Sequence, residues 1–308
     1  MKYISYILVL LTTFSLSSCF TGIESTPKIN SSDVIKQKAE DTATPETELA
    51  KQMTALPLPE WTAGREYVVT NDRISLVFNS TPKNMLPATG DTICYAGYKK
   101  LPSIAATENT LLLFTKKGNN TDTLAYKVER PYSDLASRPY VEIPFTVDLT
   151  LIDKVRKTLN GKEMYILTSS WYDLNKQRTV GRKFVKVTVE DVVPGSEEYP
   201  ISVVFNDSIR TAMAMFSFDI SENKRGFASM FSFSDPHNSY PAISDENWAA
   251  IQEGKVKIDM TRDECRLSLG APKDVDYGRS YSSAYEQWTY SNGAYLIFED
   301  GLLKRYRL

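Results

Sequence analysis

The sequence predicts an α+β protein in which antiparallel, β-rich domains precede a C-terminal unit of two helices and a three-stranded meander. Three observations lead to this prediction. Short runs rich in Val, Ile, Tyr, Phe and Thr alternate with period two from Gly64 onward. Helix start and stop signals occur twice within Ser244–Gly270. Two tight-turn pairs, Asn292-Gly293 and Asp300-Gly301, lie one strand length apart near the end of the sequence.

The N-terminus combines a positive charge, a short apolar run and small residues before a cysteine. Lys2 precedes the apolar run Tyr3–Phe14, and Leu16-Ser17-Ser18 precedes Cys19. This pattern is typical of a lipoprotein signal peptide, and the run is too short for a usual membrane span. We therefore expect residues 1–18 to be removed and Cys19 to carry palmitate and other acyl chains that hold the protein on a membrane. The alternative is an ordinary signal peptide that contains a cysteine by chance.

Residues 19–58 are rich in Ser, Thr, Pro, Lys and Glu and poor in aromatic residues. Such a segment buries too little apolar surface to become ordered, so we expect a disordered tether. Beyond it, pattern and length predict a β-rich domain over 59–145, a second β-rich domain over 146–240 and an α+β domain over 244–308.

The strands predicted in the two β-rich domains are five to seven residues long and are separated by turn residues. The first set is Glu66–Thr70, Arg73–Phe78, Thr92–Tyr98, Thr110–Thr115 and Thr123–Val128. The second set is Glu163–Ser169, Arg182–Val189, Tyr199–Phe205 and Ala212–Phe218. A helix is predicted between the sets over Asp148–Leu159, because its apolar residues share one helical face. Two small antiparallel barrels of the SH3-like type and one sandwich both fit this rhythm.

The C-terminal unit has its own plan. Ser244 is a good N-cap for a helix that ends near Gly254, and Thr261-x-x-Glu264 fits a capping box for a second helix that ends at Gly270. A polar loop follows. The three predicted strands are Glu286–Tyr290, Ala294–Glu299 and Leu302–Tyr306.

The run Met260-Thr261-Arg262-Asp263-Glu264-Cys265-Arg266-Leu267-Ser268-Leu269-Gly270-Ala271-Pro272, followed by Gln287–Tyr290 and Tyr295–Gly301, resembles the SmpA/OmlA family, also called BamE-like. That family has Gly where this chain has Asp259. The resemblance covers about the last fifth of the chain. It implies a non-enzymatic outer-membrane lipoprotein module that takes part in protein assembly or envelope contacts.

The style of the chain also resembles lipoproteins of Bacteroidota. In that group, lipoproteins exposed on the cell surface usually carry an acidic run directly after the acylated cysteine. The residues after Cys19 are Phe20-Thr21-Gly22-Ile23-Glu24, which lack such a run. The resemblance therefore implies an outer-membrane lipoprotein on the periplasmic face.

Motifs that carry chemistry are scarce. The formal net charge is −2 without a basic cluster, so we expect no nucleic-acid partner. The single histidine, His237, lies with Ser234 and Asp235, but triad residues this close in sequence rarely face one another, so a structural role is predicted. His, Cys and carboxylate residues show no metal-ligand spacing, and no Gly-rich phosphate loop occurs. No catalytic residue, cofactor or metal is predicted.

The predicted loop from Asp276 to Tyr285 combines Tyr277, Tyr281 and Tyr285 with Arg279. Tyr and Arg are enriched in interfaces, so these four residues are a candidate interaction surface. The alternative is that the aromatic residues belong to the core.

Two cysteines remain besides Cys19. Cys94 and Cys265 either pair in an oxidising periplasm or act as separate small apolar residues.

Two functional hypotheses follow. The first is a non-enzymatic, lipid-anchored envelope protein that binds an envelope protein partner at the outer membrane. The second is a periplasmic enzyme or ligand-binding protein that acts on cell-wall material. The second predicts a deep pocket with carboxyl groups whose ionisation is perturbed, and the first predicts exposed binding faces.

Overall fold

Three antiparallel sheets account for most of the regular structure in the computed structural model, which describes residues 44–78, 81–102, 108–217, 225–279 and 284–308. A few helices accompany the sheets, so the fold is mainly antiparallel β with an α+β character. Thr44–Leu308 form one compact unit. The signal peptide and Cys19 lie outside the described residues.

Helix α1, Pro45–Gln52, begins the described chain and differs from the prediction of a disordered tether over 19–58. The hydroxyl of Thr44 caps it by accepting a hydrogen bond from the backbone N–H of Thr47 at 3.2 Å. Met53 is fully buried in the core of the second sheet. The carboxylate of Glu46 accepts a hydrogen bond from the backbone N–H of Phe233 at 2.6 Å. Residues 44–58 are ordered because distant residues supply the contacts that their composition lacks.

The first sheet has the strand order β4-β3-β2-β1-β5. Its strands are β1 (Glu66–Val69), β2 (Thr92–Leu101), β3 (Asn109–Lys116), β4 (Asn119–Val128) and β5 (Thr146–Asp148). Its core is aromatic, with the rings of Tyr67, Tyr95 and Phe78 all contacting the ring of Phe114. Helix α3, Tyr132–Ala136, follows β4.

The predicted strand Arg73–Phe78 is wrong, because this segment contains helix α2, Ile74–Val77. Ile74, Val77 and Phe78 are buried, whereas Leu76 is exposed. Their spacing of three and four residues is that of one helical face. The abundance of β-branched residues favoured a strand, but packing against the first sheet decided the conformation.

The second sheet has seven strands in the order β12-β6-β9-β10-β11-β7-β8. Its strands are β6 (Glu163–Ile166), β7 (Ser170–Tyr172), β8 (Arg178–Val180), β9 (Val185–Pro194), β10 (Ile201–Asn206), β11 (Thr211–Phe216) and β12 (Phe231–Ser232). Helix α4, Leu149–Leu159, buries Ile152, Val155 and Leu159 in the core of this sheet. Helix α5, Phe227–Met230, lies just before β12.

The last part of the chain contains helix α6 (Asp245–Gln252), helix α7 (Arg262–Leu269) and a four-stranded sheet. The strands are β13 (Asp274–Arg279), β14 (Ala284–Thr289), β15 (Tyr295–Glu299) and β16 (Leu302–Arg307), in sequential order. The prediction of three strands missed β13, because its exposed residues lack an apolar alternation. Thr261 and Glu264 form the capping box of α7.

Candidate functional site

A cavity of about 500 Å³ lies where the cores of the first and second sheets approach each other. It is formed by the segment after α1, by β1 and β5, by the first turn of α4 and by the loop between β9 and β10. Its apolar lining consists of Ala55, Leu56, Trp61, Pro139, Val141, Ile143, Val147, Leu151, Ile152 and Pro200. Its polar lining consists of Thr54, Arg65, Tyr67, Tyr140, Glu142, Thr146, Asp148, Glu197 and Ser217. The volume is within the range of small-molecule binding pockets.

Arg65 places a buried guanidinium in the wall of this cavity. Its side chain is 4 % exposed, and its Nη2 forms an ion pair with Oδ2 of Asp148. The guanidinium carbon lies 5.1 Å from the ring centre of Trp61 and 5.9 Å from that of Tyr67, so aromatic faces support the charge. No described residue accepts a hydrogen bond from Arg65 Nε. A buried donor without a partner is costly, so Arg65 Nε is a polar group that the fold leaves unsatisfied beside the cavity.

Tyr67 lies beside Arg65 in the cavity wall, with its hydroxyl buried. Among the described residues, this hydroxyl has no hydrogen bond of ordinary geometry. Burial, reinforced by the negative charge of Asp148, raises the pKa of Tyr67 well above its usual value. The hydroxyl therefore stays protonated at neutral pH.

Asp148 is held in place by two elements at once. Its Oδ2 pairs with Arg65, while its Oδ1 accepts hydrogen bonds from the backbone N–H groups of Thr150 at 2.9 Å and Leu151 at 3.3 Å. The second set of contacts is the N-cap of α4. Strand β5 also pairs with β1, which places Tyr67 opposite Asp148.

Two exposed carboxyl groups, those of Glu142 and Glu197, complete the polar lining. They belong to different segments, one before β5 and one in the loop between β9 and β10. The cavity lining therefore combines a buried ion pair, Arg65 with Asp148, and two exposed acidic residues.

The sequence contained one signal for this site. Arg65 is in period-two phase with Tyr67 and Val69, and both of these are buried residues of β1 or its edge. An arginine at an inward-facing position of a strand predicts a buried charge that needs a partner. The partner, Asp148, is 83 residues away in sequence, and no local pattern identifies it.

The predicted interaction surface lies in the last sheet, among residues that do not line the cavity. Tyr277, which is 78 % exposed, and Arg279 belong to the edge strand β13. Tyr285 belongs to β14 and pairs with Gly278, and its ring occupies the space where a side chain on Gly278 would lie. Tyr281 lies outside the described residues. Tyr277 and Arg279 are thus placed on an exposed sheet edge.

His237 contacts Asp235, contrary to the expectation that residues so close in sequence do not face one another. The ring Nδ1 lies 2.6 Å from Asp235 Oδ1, and the ring centre lies 4.1 Å from that of Trp248. Asp235 also accepts hydrogen bonds from the His237 backbone N–H and from the Tyr165 hydroxyl, both at 3.0 Å. Ser234 contacts Ser232, with its backbone N–H donating to that hydroxyl at 3.1 Å. These contacts join β6, the turn at Pro236–Ser239 and α6.

Cys94 and Cys265 are both free thiols. This agrees with the alternative in which the two cysteines act as separate small apolar residues and do not form a disulfide. Cys265 is fully buried in the last core cluster, where burial raises its pKa to about 12. Burial also raises the pKa of Cys94, and the neighbouring Glu66 reinforces the shift. Neither thiol has the depressed pKa of a reactive cysteine.

Within the residues that the structure describes, His, Cys, Asp and Glu side chains form no group of three or more that could hold a metal ion. No helix in the described part of the chain is both long enough and apolar enough to cross a membrane.

No protein-family model matches the chain, and no curated protein or solved structure matches it either.

Proposed function

We propose that this chain is a non-enzymatic, lipid-anchored envelope protein whose folded body binds a small ligand with a large apolar part. One observation carries the proposal. The cavity of about 500 Å³ has mainly apolar walls, and its lining includes the buried ion pair of Arg65 and Asp148 beside Tyr67. A few polar groups in a mainly apolar pocket are typical of small-molecule sites.

Binding fits the cavity better than catalysis does. Arg65 is a donor only, and the raised pKa of Tyr67 keeps its hydroxyl protonated at neutral pH. Both oxygens of Asp148 are engaged, one with Arg65 and one with the N-terminus of α4. A general acid or base needs a group that exchanges protons near the working pH. Because Asp148 is fully engaged and Tyr67 stays protonated, these buried groups are not suited to move a proton.

The test uses the neutral fluorophore N-phenyl-1-naphthylamine and the full-length chain carrying Cys19→Ser, which has no acyl chain to compete with the probe. Saturable binding with enhanced fluorescence is expected. Leu151→Trp places a larger side chain in the cavity wall and should weaken binding by about tenfold or more. Lys157→Trp, at an exposed position of the same helix, is the matched control and should change the dissociation constant less than about twofold. Equal binding by both variants, at unchanged unfolding midpoints, would contradict the proposal.

Anchoring is the second part of the proposal and rests on the residues before Cys19. Small residues before a cysteine, after a short apolar run, support acylation. The resemblance to Bacteroidota lipoproteins, together with the absence of an acidic run after Cys19, supports the periplasmic face of the outer membrane. Labelled palmitate should enter the wild-type chain in cells and should not enter Cys19→Ala. Equal labelling of both chains would contradict acylation at Cys19.

A protein partner is a second candidate function, favoured by the exposure of Tyr277 on an edge strand. Unpaired backbone groups of an edge accept an extended strand of a partner, and Tyr is enriched at interfaces. The occupant we propose is an extended segment of an envelope protein. A photo-crosslinking residue at Tyr277 should capture one discrete protein in cells. Val180 on edge strand β8 is equally exposed, at 78 %, and should capture none. Equal capture at both positions would contradict a specific edge.

The resemblance of 244–308 to the BamE-like family remains part of the proposal. It is supported by the capping box at Thr261 and Glu264 and by Gly270, whose φ of 88° suits glycine at a helix end. An SH3-like description applies best to the first sheet, which has five antiparallel strands. An experimental structure in which this sheet stays open would exclude the barrel.

A further inference from the structure

We propose that two copies of this chain associate through the outer face of the last sheet, with strand β13 of one copy over strand β16 of the other. The outer face is the one turned away from helices α6 and α7. The contact is separate from the cavity and from the exposed edge at Tyr277. The side chain of Tyr277 lies on the inner face, because Tyr277 pairs with the buried Glu286.

The pairing register divides the last sheet into these two faces. Trp288 and Leu296 are paired and fully buried in a core cluster that also contains residues of α6 and α7, so they belong to the inner face. Residues in the alternate phase form the outer face. They are Asp274, Asp276 and Gly278 of β13, Tyr285, Gln287 and Thr289 of β14, Tyr295, Ile297 and Glu299 of β15, and Leu302, Arg305 and Arg307 of β16. The outer-face residues of β14 and β15 are half-buried and lie outside the core clusters of the described chain.

Charge on the outer face is divided between the two outermost strands. Strand β13 contributes the exposed carboxylates of Asp274 and Asp276, and β16 contributes the exposed guanidinium groups of Arg305 and Arg307. With neighbouring strands about 4.8 Å apart, β13 and β16 are separated by about 14 Å. This exceeds the Debye length of about 8 Å at physiological ionic strength. The acidic and basic strands therefore do not neutralise each other within one copy.

Nearby charges compensate these strands only in part. Lys273 Nζ lies 3.8 Å from Asp274 Oδ2, and Arg305 Nη2 lies 3.6 Å from Glu299 Oε1. Exposed pairs of this kind contribute little. The other outer-face carboxylate of β13 and the other outer-face guanidinium of β16 form no ion pair with a described residue. Lys304, at the register shift of β16, is paired with a carboxylate before α7. A negative charge thus remains on the side of β13 and a positive charge on the side of β16.

The register also places acidic and basic residues at the same height along the strands. Two lines of paired residues cross the sheet: Asp274, Thr289, Tyr295 and Arg307, and then Asp276, Gln287, Ile297 and Arg305. A two-fold axis parallel to the strands exchanges β13 with β16 and keeps these heights. Asp274 of one copy then meets Arg307 of the other, and Asp276 meets Arg305. An axis across the strands would place β13 over β13 and bring like charges together, so the charge pattern selects the first arrangement.

The centre of the face supplies apolar contact. Under the same axis, β14 of one copy lies over β15 of the other, and Tyr285, Tyr295 and Ile297 provide most of the apolar surface. Aligned packing of two sheets about 10 Å apart is a common arrangement. Four strands of about five residues have a projected area of roughly 300 Å² per copy, whereas a stable interface buries about 800 Å² per partner. We therefore expect a weak dimer, with a dissociation constant on the order of 10–100 µM.

The experiment measures self-association by sedimentation equilibrium. It uses the chain from residue 19 onward with Cys19→Ser, so that neither the apolar N-terminal run nor an acyl chain drives association. One double variant carries Arg305→Glu and Arg307→Glu, and the other carries Asp274→Lys and Asp276→Lys. Each alone should have a dissociation constant about tenfold or more above wild type, because like charges now face each other. An equimolar mixture of the two should associate within about threefold of wild type, because each variant carries the charges that the other has lost.

The control is the double variant Glu60→Lys and Glu129→Lys, which makes the same change in net charge at exposed positions outside the last sheet. Its dissociation constant should stay within about twofold of wild type. A wild type that remains monomeric at about 500 µM would overturn the second copy as the occupant and leave the face to a different partner. Association that is unchanged in both charge-reversed variants would overturn the outer face as the contact. A mixture no stronger than its separate components, at unchanged unfolding midpoints, would overturn the pairing of β13 with β16.

Discussion

The ion pair of Asp148 and Arg65 connects the residue directly before β1 to the N-cap of α4, the helix that packs in the core of the second sheet. One carboxylate oxygen of Asp148 pairs with the buried guanidinium, and the other caps α4. Removing one partner of a buried ion pair leaves the other charge without compensation, which costs more than the pair itself contributes. This residue pair therefore matters for the stability of the fold as well as for the cavity.

Asp148→Asn separates the two roles of this carboxylate, because Asn is an equally good N-cap. We expect it to lower the free energy of unfolding by about 3 kcal/mol, since Arg65 remains buried without its counter-charge. Asp148→Ala should lose about 1 kcal/mol more, because the cap is also removed. Urea unfolding followed by circular dichroism measures both. Asp153→Asn, on the exposed face of α4, is the control, and an equal loss in that variant would refute the role of the pair.

Gly181 lies directly against the ring of Trp171, which is fully buried in the core of the second sheet. A Cβ atom at this position would be 1.8 Å from Trp171 Cδ2, so Gly181→Ala forces the ring or the strand to move. We expect a destabilisation of about 3 kcal/mol or failure to fold. The neighbouring Val180→Ala is exposed and should change stability by less than about 0.5 kcal/mol. Comparable melting temperatures for the two variants would show that Gly181 has free space.

Glu46 provides an acid-dependent contact between α1 and β12. Burial by itself raises its pKa, but hydrogen bonds from the Phe233 backbone and the Ser232 hydroxyl outweigh burial, so the pKa of Glu46 lies below its ordinary value of 4.5. A lowered pKa stabilises the folded state above the unfolded-state pKa, and this stabilisation disappears as the pH falls through the folded-state pKa.

Glu46→Gln should therefore cost about 1 kcal/mol at neutral pH, because Gln accepts hydrogen bonds without charge. The difference from wild type should shrink as the pH falls below about 4.5. Urea unfolding at several pH values measures it. Glu48→Gln, on the exposed side of the same helix, is the matched control. A constant difference between wild type and Glu46→Gln would exclude the ionised carboxylate as its cause.

Lys183 predicts a pH dependence of the same sign in the alkaline range, where stability also rises with pH. It donates to the backbone carbonyl of Ser268 near the end of α7, and burial lowers the pKa of Lys183 to about 8. Between about pH 8 and about pH 10.5 the unfolded chain binds more protons at this residue than the folded chain, so stability rises with pH in this range. This contribution should be absent from Lys183→Met.

Relative to Lys183→Met, wild type should gain about 1–2 kcal/mol of unfolding free energy between about pH 7.5 and about pH 9.5. Denaturant titrations at the two pH values measure the gain. Lys157→Met, at an exposed position of α4, should follow wild type. A gain that persists in Lys183→Met would assign the effect to another group.

Local chemistry made several elements predictable. The side chain of Ser244 caps α6, the capping box of Thr261 and Glu264 starts α7, and Asp148 caps α4 at the start of the predicted helix. Prediction failed where distant contacts overrode local preference. The segment at Ile74 is helical because its apolar residues pack on the first sheet. Helix α1 is ordered because Glu46 accepts a hydrogen bond from Phe233 and because Met53, at the end of the helix, is buried in the core of the second sheet.

By itself, the sequence determined the caps, the turns and the mainly antiparallel β character, since these depend on residues within a few positions of one another. It also contained one hint of the cavity, because Arg65 is in phase with buried residues of β1. Only the tertiary structure decided where the cavity lies, which carboxylate pairs with Arg65 and which strand forms the exposed edge that carries Tyr277. These features join segments that are far apart in sequence, and the free energy that brings them together comes from burial of shared apolar surface, which has no direction along the chain.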